Sequence, residues 1–261
     1  MQFITSEDGT KIAYKKSGQG PALIIVGGAL VDHNTYMPVA AELAKHFTVY
    51  NYDRRGRGQS GDVQPYSVER EIEDIATLIS EADQQQIYIY GHSAGSALSL
   101  KAAASNLGIT KLILVDLPFG PRGINDEKIK EQFAKQKTTI KRLHDKGDYK
   151  GAASFFLSGF GMPPEAVESI LSSPAGERMI DCARALPYDF AMLGDGLAPT
   201  DFAAKVGIPT LIMAAGTHPE TAQQLVDVMS DAQFKAMSAS AHDLPAVDIV
   251  QAVLPFLEAQ G

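Results

Sequence analysis

Ile87-Tyr88-Ile89-Tyr90-Gly91-His92-Ser93-Ala94-Gly95 is an apolar run that gives way to a serine flanked two residues away on each side by glycine. The run up to Tyr90 suits a strand buried on both faces. The residues that follow, Ala94 through Leu98, Leu100 and Ala102 to a stop near Gly108, read as a helix. A chain that passes from strand to helix in so few residues must turn sharply. The turn places Ser93 in a strained backbone conformation, and the two glycines let neighbouring backbone come close. The Ser93 hydroxyl is thereby pushed out above the sheet. The Ala94 N–H and the positive end of the helix dipole face the same space, where an oxyanion would be stabilised.

Outward from this turn, strand and helix signals alternate. Residues 22–26 (ALIIV), 47–50 (FTVY), 112–115 (LILV) and 210–214 (TLIMA) are further continuously apolar runs. Phe3-Ile4 and Ile12-Ala13-Tyr14 form an opening hairpin about Asp8-Gly9. Between the runs, 68–82 carries Ile72, Ile75, Ala76 and Ile79 at three- and four-residue intervals, with its polar remainder toward water. A last helix carries Val250, Val253 and Leu257. The alternation predicts an α/β fold with a mostly parallel central sheet of about eight strands flanked by helices. The rhythm breaks over 118–206, which reads as several helices with Gly and Pro punctuation and no strand. The expectation is a core of 1–117 and 207–261, with a helical cap, 118–206, inserted after the sixth strand. Phe155, Phe156, Leu157, Phe160 and Met162 in that interval either line a substrate pocket or pack its helices together.

Composition narrows the function classes. The 261 residues are 45% hydrophobic, enough for one large domain, and the formal charge of −8 is spread along the chain. No Lys/Arg run follows a phosphate backbone, so nucleic acid is not an expected partner. The opening Met1-Gln2-Phe3-Ile4-Thr5 lacks the features of a secretory leader, and no apolar run approaches the roughly 18 residues of a membrane helix. A cytoplasmic protein with no membrane partner is expected. The single cysteine, Cys182, has no Cys or His neighbours at metal-ligand spacing and is read as a packed thiol. Phosphate-cradling and dinucleotide fingerprints are lacking too: Gly56-Arg57-Gly58 has no third glycine or helix in the right place. No metal or other cofactor is expected.

With its Gly91-His92-Ser93-Ala94-Gly95 turn in this context, the chain resembles the capped single-domain serine hydrolases of the α/β-hydrolase superfamily. Further segments carry the resemblance. Gly27-Gly28-Ala29 follows the third strand, where the family places its second oxyanion donor, which implies that role for the Ala29 N–H beside that of Ala94. Family members often have His-Gly there, and Gly27 departs from that pattern. Tyr52-Asp53-Arg54-Arg55-Gly56-Arg57-Gly58-Gln59-Ser60 is similar to a structural loop of the family, so Arg54, Arg55 and Arg57 are left outside the site. His242, after the final strand signal at 234–237, stands where the family carries its general base, and a serine hydroxyl needs such a base to become a nucleophile. His33, His46 and His144 are read as loop or helix-surface residues, and His92 as shaping the pocket floor or packing.

The family's usual acid position reads Gly216-Thr217-His218-Pro219-Glu220, without an aspartate. Asp116 is preferred, because it ends the strand after the nucleophile helix and strand carboxyl ends face the site in open α/β sheets. Glu220 is the next candidate, ahead of Asp189, Asp195 and Asp201. The resemblance implies hydrolysis of a carboxyl ester or related acyl substrate, small and apolar, through an acyl-enzyme on Ser93. Two alternatives stay open: a small-molecule-binding or sensory protein with little turnover, and a non-hydrolytic cofactor-free reaction such as cyclisation or peracid formation.

Overall fold

The apolar runs fall side by side in one sheet. The computed structural model describes residues 1–215, 219–241 and 244–259. Its strands are β1 (Gln2–Thr5), β2 (Lys11–Ser17), β3 (Ala22–Val26), β4 (Thr48–Tyr52), β5 (Ile87–His92), β6 (Lys111–Val115), β7 (Thr210–Ala215) and β8 (Ala232–Met237). They are ordered β1-β2-β4-β3-β5-β6-β7-β8. β1 and β2 run antiparallel to their neighbours and the rest are parallel. Every residue of β3, β4, β5 and β6 is buried, as continuous apolar composition requires. The opening hairpin pairs Phe3 with Ala13. It turns through Gly9 at φ +88°, with Asp8 Oδ1 accepting the Thr10 N–H at 2.9 Å.

Helices cover both faces. α2 (Val68–Ala82), α3 (Ala94–Ala104) and α10 (Pro219–Val228) bury residues such as Ile75, Leu98 and Leu225 against one face. α1 (Met37–Leu43) and α11 (Ala246–Glu258) bury Val39, Leu43, Val250, Val253 and Leu257 against the other. Chain order reverses between β3 and β5, so their carboxyl ends open a crevice at the centre of the sheet, the usual ligand position in such folds. Asp116 follows β6 on the same edge.

Between β6 and β7 the chain inserts six helices: α4 (Asp126–Asp145), α5 (Tyr149–Ser158), α6 (Pro164–Leu171), α7 (Pro174–Cys182), α8 (Leu186–Met192) and α9 (Thr200–Ala203). Ile140, Leu157, Val167, Leu171, Leu186 and Phe190 form a separate apolar cluster of this insertion, which also takes in Leu30. Its two ends merge with the main core through Phe119, Met192, Ala203 and Val206. No described helix is long and apolar enough to cross a membrane.

The polar side of α2 departs from the sequence expectation. Glu71 and Asp74 are buried, not solvated, because Arg54 and Arg55 from the loop after β4 reach them. Arg54 forks onto Glu71 at 2.7 and 2.8 Å, and Arg55 onto Asp74 at 2.8 Å twice. Such paired geometry is what lets charge survive burial. His33 departs likewise: it is 3% exposed, and its ring and backbone N–H both bond Asp53 Oδ1, at 2.8 and 2.7 Å. Cys182 is buried, which pushes its thiol up to about 11.

Candidate active site

Ser93 sits at the start of α3 with φ +53° and ψ −124°, conformational strain that the surrounding packing must hold. Its backbone N–H is bonded to the Val115 carbonyl at 2.8 Å, and its carbonyl accepts the Ser96 N–H at 2.8 Å, so the turn is tied to β6 and to the helix. The flanking glycines are sterically required. A Cβ at Gly95 would run into the Val26 and Gly27 carbonyls of the neighbouring strand end, and one at Gly91 would lie 2.8 Å from the Gly95 carbonyl. A Cβ at Gly28 would meet Ser93 Cβ at 3.1 Å and Oγ at 3.6 Å, so the Gly28-Ala29 segment lies directly against the serine.

Asp116 follows β6 directly, with φ +50°. Its Oδ2 accepts the Ser240 hydroxyl at 2.7 Å and the Ala241 N–H at 2.8 Å, and His92 Nε2 lies 3.5 Å away. Burial alone would raise this carboxyl. The contact with His92 and the hydrogen bonds from Ser240 and the Ala241 N–H outweigh burial and hold it down at about 2. Because the folded value is depressed, the associated stability is present above the ordinary aspartate range and lost as pH falls toward 2. Asp116→Asn is therefore expected to flatten the slope of unfolding free energy against pH, by up to about one proton's worth between roughly pH 4 and pH 2. Denaturant titrations at a series of pH values check this; an unchanged slope would show that Asp116 is not held ionised.

His92 is 3% exposed and bonds the Tyr36 hydroxyl through Nδ1 at 2.9 Å; the same hydroxyl accepts the Gly28 N–H at 3.0 Å. Sequence reasoning missed Tyr36, which stands in a short turn after β3 with no periodicity to mark it. Its ring lies where a side chain at position 27 would stand. A Cβ at Gly27 would approach Tyr36 Cε2 to 2.9 Å.

These elements match a known family. Residues 23–254 fit the description "Alpha/beta hydrolase family". The chain belongs to the alpha/beta hydrolase family. Among solved structures, an alpha/beta hydrolase from Sphaerobacter thermophilus DSM 20745 is 38% identical, covering 98% of this chain and 99% of that one, with TM-score 0.84. The enol-lactonase from Burkholderia xenovorans LB400 shares the fold at 19% identity, covering 99% and 100%, with TM-score 0.76. YraK, a hydrolase of Bacillus subtilis (strain 168), is 33% identical over 95 residues; that match spans 35% of this chain and 35% of that protein.

Within this alpha/beta hydrolase, Ser93, Ala94, the Gly28-Ala29 segment and Asp116 converge at the carboxyl ends of β3, β5 and β6. His242 lies outside the described residues, as does Asp243; the chain before them, Ser240-Ala241, is the part bonded to Asp116. Of the other acids weighed from sequence, Glu220 is exposed in the first turn of α10. Asp189 is buried between Arg54 and Arg57, at 2.9 and 2.8 Å. Asp195 accepts the Leu197 N–H at 3.1 Å, and Asp201 is exposed in α9. Arg54, Arg55 and Arg57 are spent on internal ion pairs, and Arg54 Nη1 also donates to the Gly27 carbonyl at 3.3 Å.

Part of the aromatic cluster of the insertion packs its helices together. Leu157 and Phe156 pack inside the insertion, Phe156 edge-on to Phe190 and Phe160. Phe155, within α5, and Phe160 and Met162, beyond its end at Ser158, are exposed. Among the described residues, no group of His, Cys, Asp or Glu is arranged to hold a metal ion.

Proposed function

We propose that the protein is a serine hydrolase that cleaves a carboxyl ester or related acyl substrate through an acyl-enzyme on Ser93. The observation that carries this reading is the pairing of a strained Ser93 at the head of α3 with a carboxylate, Asp116, bonded to the two residues that lead into His242. Ser93 Oγ attacks the substrate carbonyl carbon while His242 takes its proton. The negative charge that develops on the carbonyl oxygen is met by the Ala29 and Ala94 N–H groups and the α3 dipole. His242 returns the proton to the leaving alcohol. Water, deprotonated by His242, then attacks the acyl-enzyme and releases the acid with Ser93 restored. Asp116 orients the imidazole and stabilises its charged form. The enol-lactonase that shares the fold favours an ester-type bond.

The insertion acts as a cap in this reading. Leu30, next to the oxyanion segment, belongs to the same buried apolar cluster as Ile140, Leu157, Leu186 and Phe190, so the insertion joins the core beside Ser93. A fluorophosphonate probe tests the chemistry. Intact-mass spectrometry is expected to find one adduct per chain, mapped by peptide digestion to Ser93. A folded wild-type protein that takes up no probe would sink the serine-hydrolase reading and favour ligand binding without turnover.

A further inference from the structure

We propose that Tyr36 and His92 are positioning residues of the same site, a buried hydrogen-bonded pair that ties the Gly28-Ala29 segment to Asp116 and keeps both in register about Ser93. The inference rests on the serine-hydrolase reading. Its geometry draws on four separate stretches of chain. Gly28 follows β3, Tyr36 precedes α1, His92 ends β5 and Asp116 follows β6. The Gly28 N–H donates to Tyr36 Oη at 3.0 Å, and Tyr36 Oη lies 2.9 Å from His92 Nδ1.

A phenol hydroxyl that accepts one bond has its own proton left to give, and His92 Nδ1 is the acceptor in reach. In the neutral ring this puts the imidazole proton on Nε2, the nitrogen 3.5 Å from Asp116 Oδ2. The polar groups thus run in one direction, from amide to phenol to imidazole to carboxylate. Tyr36 is 5% exposed and His92 3%, so water scarcely competes and the bonds keep their directional strength. The rings meet edge to face, with centroids 5.7 Å apart at 81°, which fixes the imidazole plane as well as its proton. Gly27 leaves the space for the Tyr36 ring, and Gly28 leaves the space for Ser93. The two glycines therefore serve opposite sides of one arrangement.

The consequence is mechanical. The Gly28 N–H points into the pair, which fixes the backbone on which the next amide, that of Ala29, meets the oxyanion. At its other end the pair contributes to holding Asp116 where Ser240 and Ala241 also hold it. Small displacements of oxyanion donors and acid lower the rate more than they lower substrate binding.

Tyr36→Phe removes the hydroxyl and keeps the ring. With p-nitrophenyl butyrate as probe, its kcat is expected to fall about 10- to 100-fold while KM stays within about twofold, and the rate of fluorophosphonate labelling is expected to fall in proportion. Nitrogen-15 NMR of histidine-labelled wild-type protein, with the His92 signals assigned by their loss in His92→Asn, is expected to show a protonated Nε2 and an accepting Nδ1. That pattern should disappear in Tyr36→Phe. The tautomer is read on the wild type and needs only a folded His92→Asn for its assignment, so it tests the proposal even where Tyr36→Phe does not fold. A wild-type His92 protonated on Nδ1 overturns the proposal, as does a folded Tyr36→Phe with unchanged kcat and labelling rate. A wild type that is never labelled overturns instead the serine-hydrolase reading beneath it.

Discussion

Ser93→Ala is expected to lower turnover of a short-chain chromogenic ester by at least about 10³-fold while leaving the fold intact. In the serine-hydrolase reading the loss follows from removal of the one atom that forms the covalent intermediate; the base and oxyanion donors left behind support only a small residual rate. The fold should survive because the bonds Ser93 makes to its surroundings run through its backbone: its N–H to Val115 and its carbonyl to Ser96. Alanine retains Cβ and meets the same conformational cost at φ +53°, of order 1–3 kcal/mol, so strain is neither added nor relieved. Steady-state kinetics and urea unfolding on the same preparation check both halves. Undiminished turnover by a folded Ser93→Ala protein would remove Ser93 from the chemistry.

The second large effect is on stability. Asp189→Ala is expected to cost about 3–5 kcal/mol, a large share of the 5–15 kcal/mol by which domains are typically stable. Asp189 Oδ1 accepts from Arg54 Nη1 at 2.9 Å and from Arg57 Nη2 at 2.8 Å, and all three side chains are 2% exposed or less. Together with Glu71 they form a buried group of two cations and two anions. Burial would raise the Glu71 carboxyl, but the Arg54 and Arg57 guanidinium groups hold it below the usual range. Without Asp189 one cationic charge is left uncompensated where water cannot reach it. Asp189→Asn keeps an acceptor and should lose less. The measurement is the urea midpoint at constant slope; a change within about 0.5 kcal/mol, as at an ordinary surface site, would show that the network does not fasten the insertion to the core. Arg54 also bonds the Gly27 carbonyl, so loosening the insertion is transmitted to the segment beside Ser93.

The two predictions differ in what made them visible. Ser93 was legible from five residues, because a strand-to-helix turn with a glycine on each side has few backbone solutions and all of them expose the middle residue. Asp116 was legible less directly, from the rule that strand carboxyl ends face the site. Asp189 was visible only as a distant alternative for the acid, and its partners Arg54 and Arg57 lie 135 and 132 residues away along the chain. Helical periodicity separates polar from apolar positions and so turns Glu71 and Asp74 toward water. It does not report whether a guanidinium waits across the interface.

By itself the sequence determined the alternation of strand and helix, the opening hairpin, the helical interval between β6 and β7, and the turn that presents Ser93. Each of these is set by apolar periodicity or by local backbone preference over a few residues, and such signals act within the segment that carries them. Only the tertiary structure decided that His33 is buried on Asp53, that Tyr36 occupies the space Gly27 vacates, that Asp116 meets Ser240 and Ala241, and that Asp189 belongs to an ion-pair network. A polar side chain's role depends on which partner stands within hydrogen-bond distance once water is excluded. That partner is chosen by long-range packing, which no local pattern records.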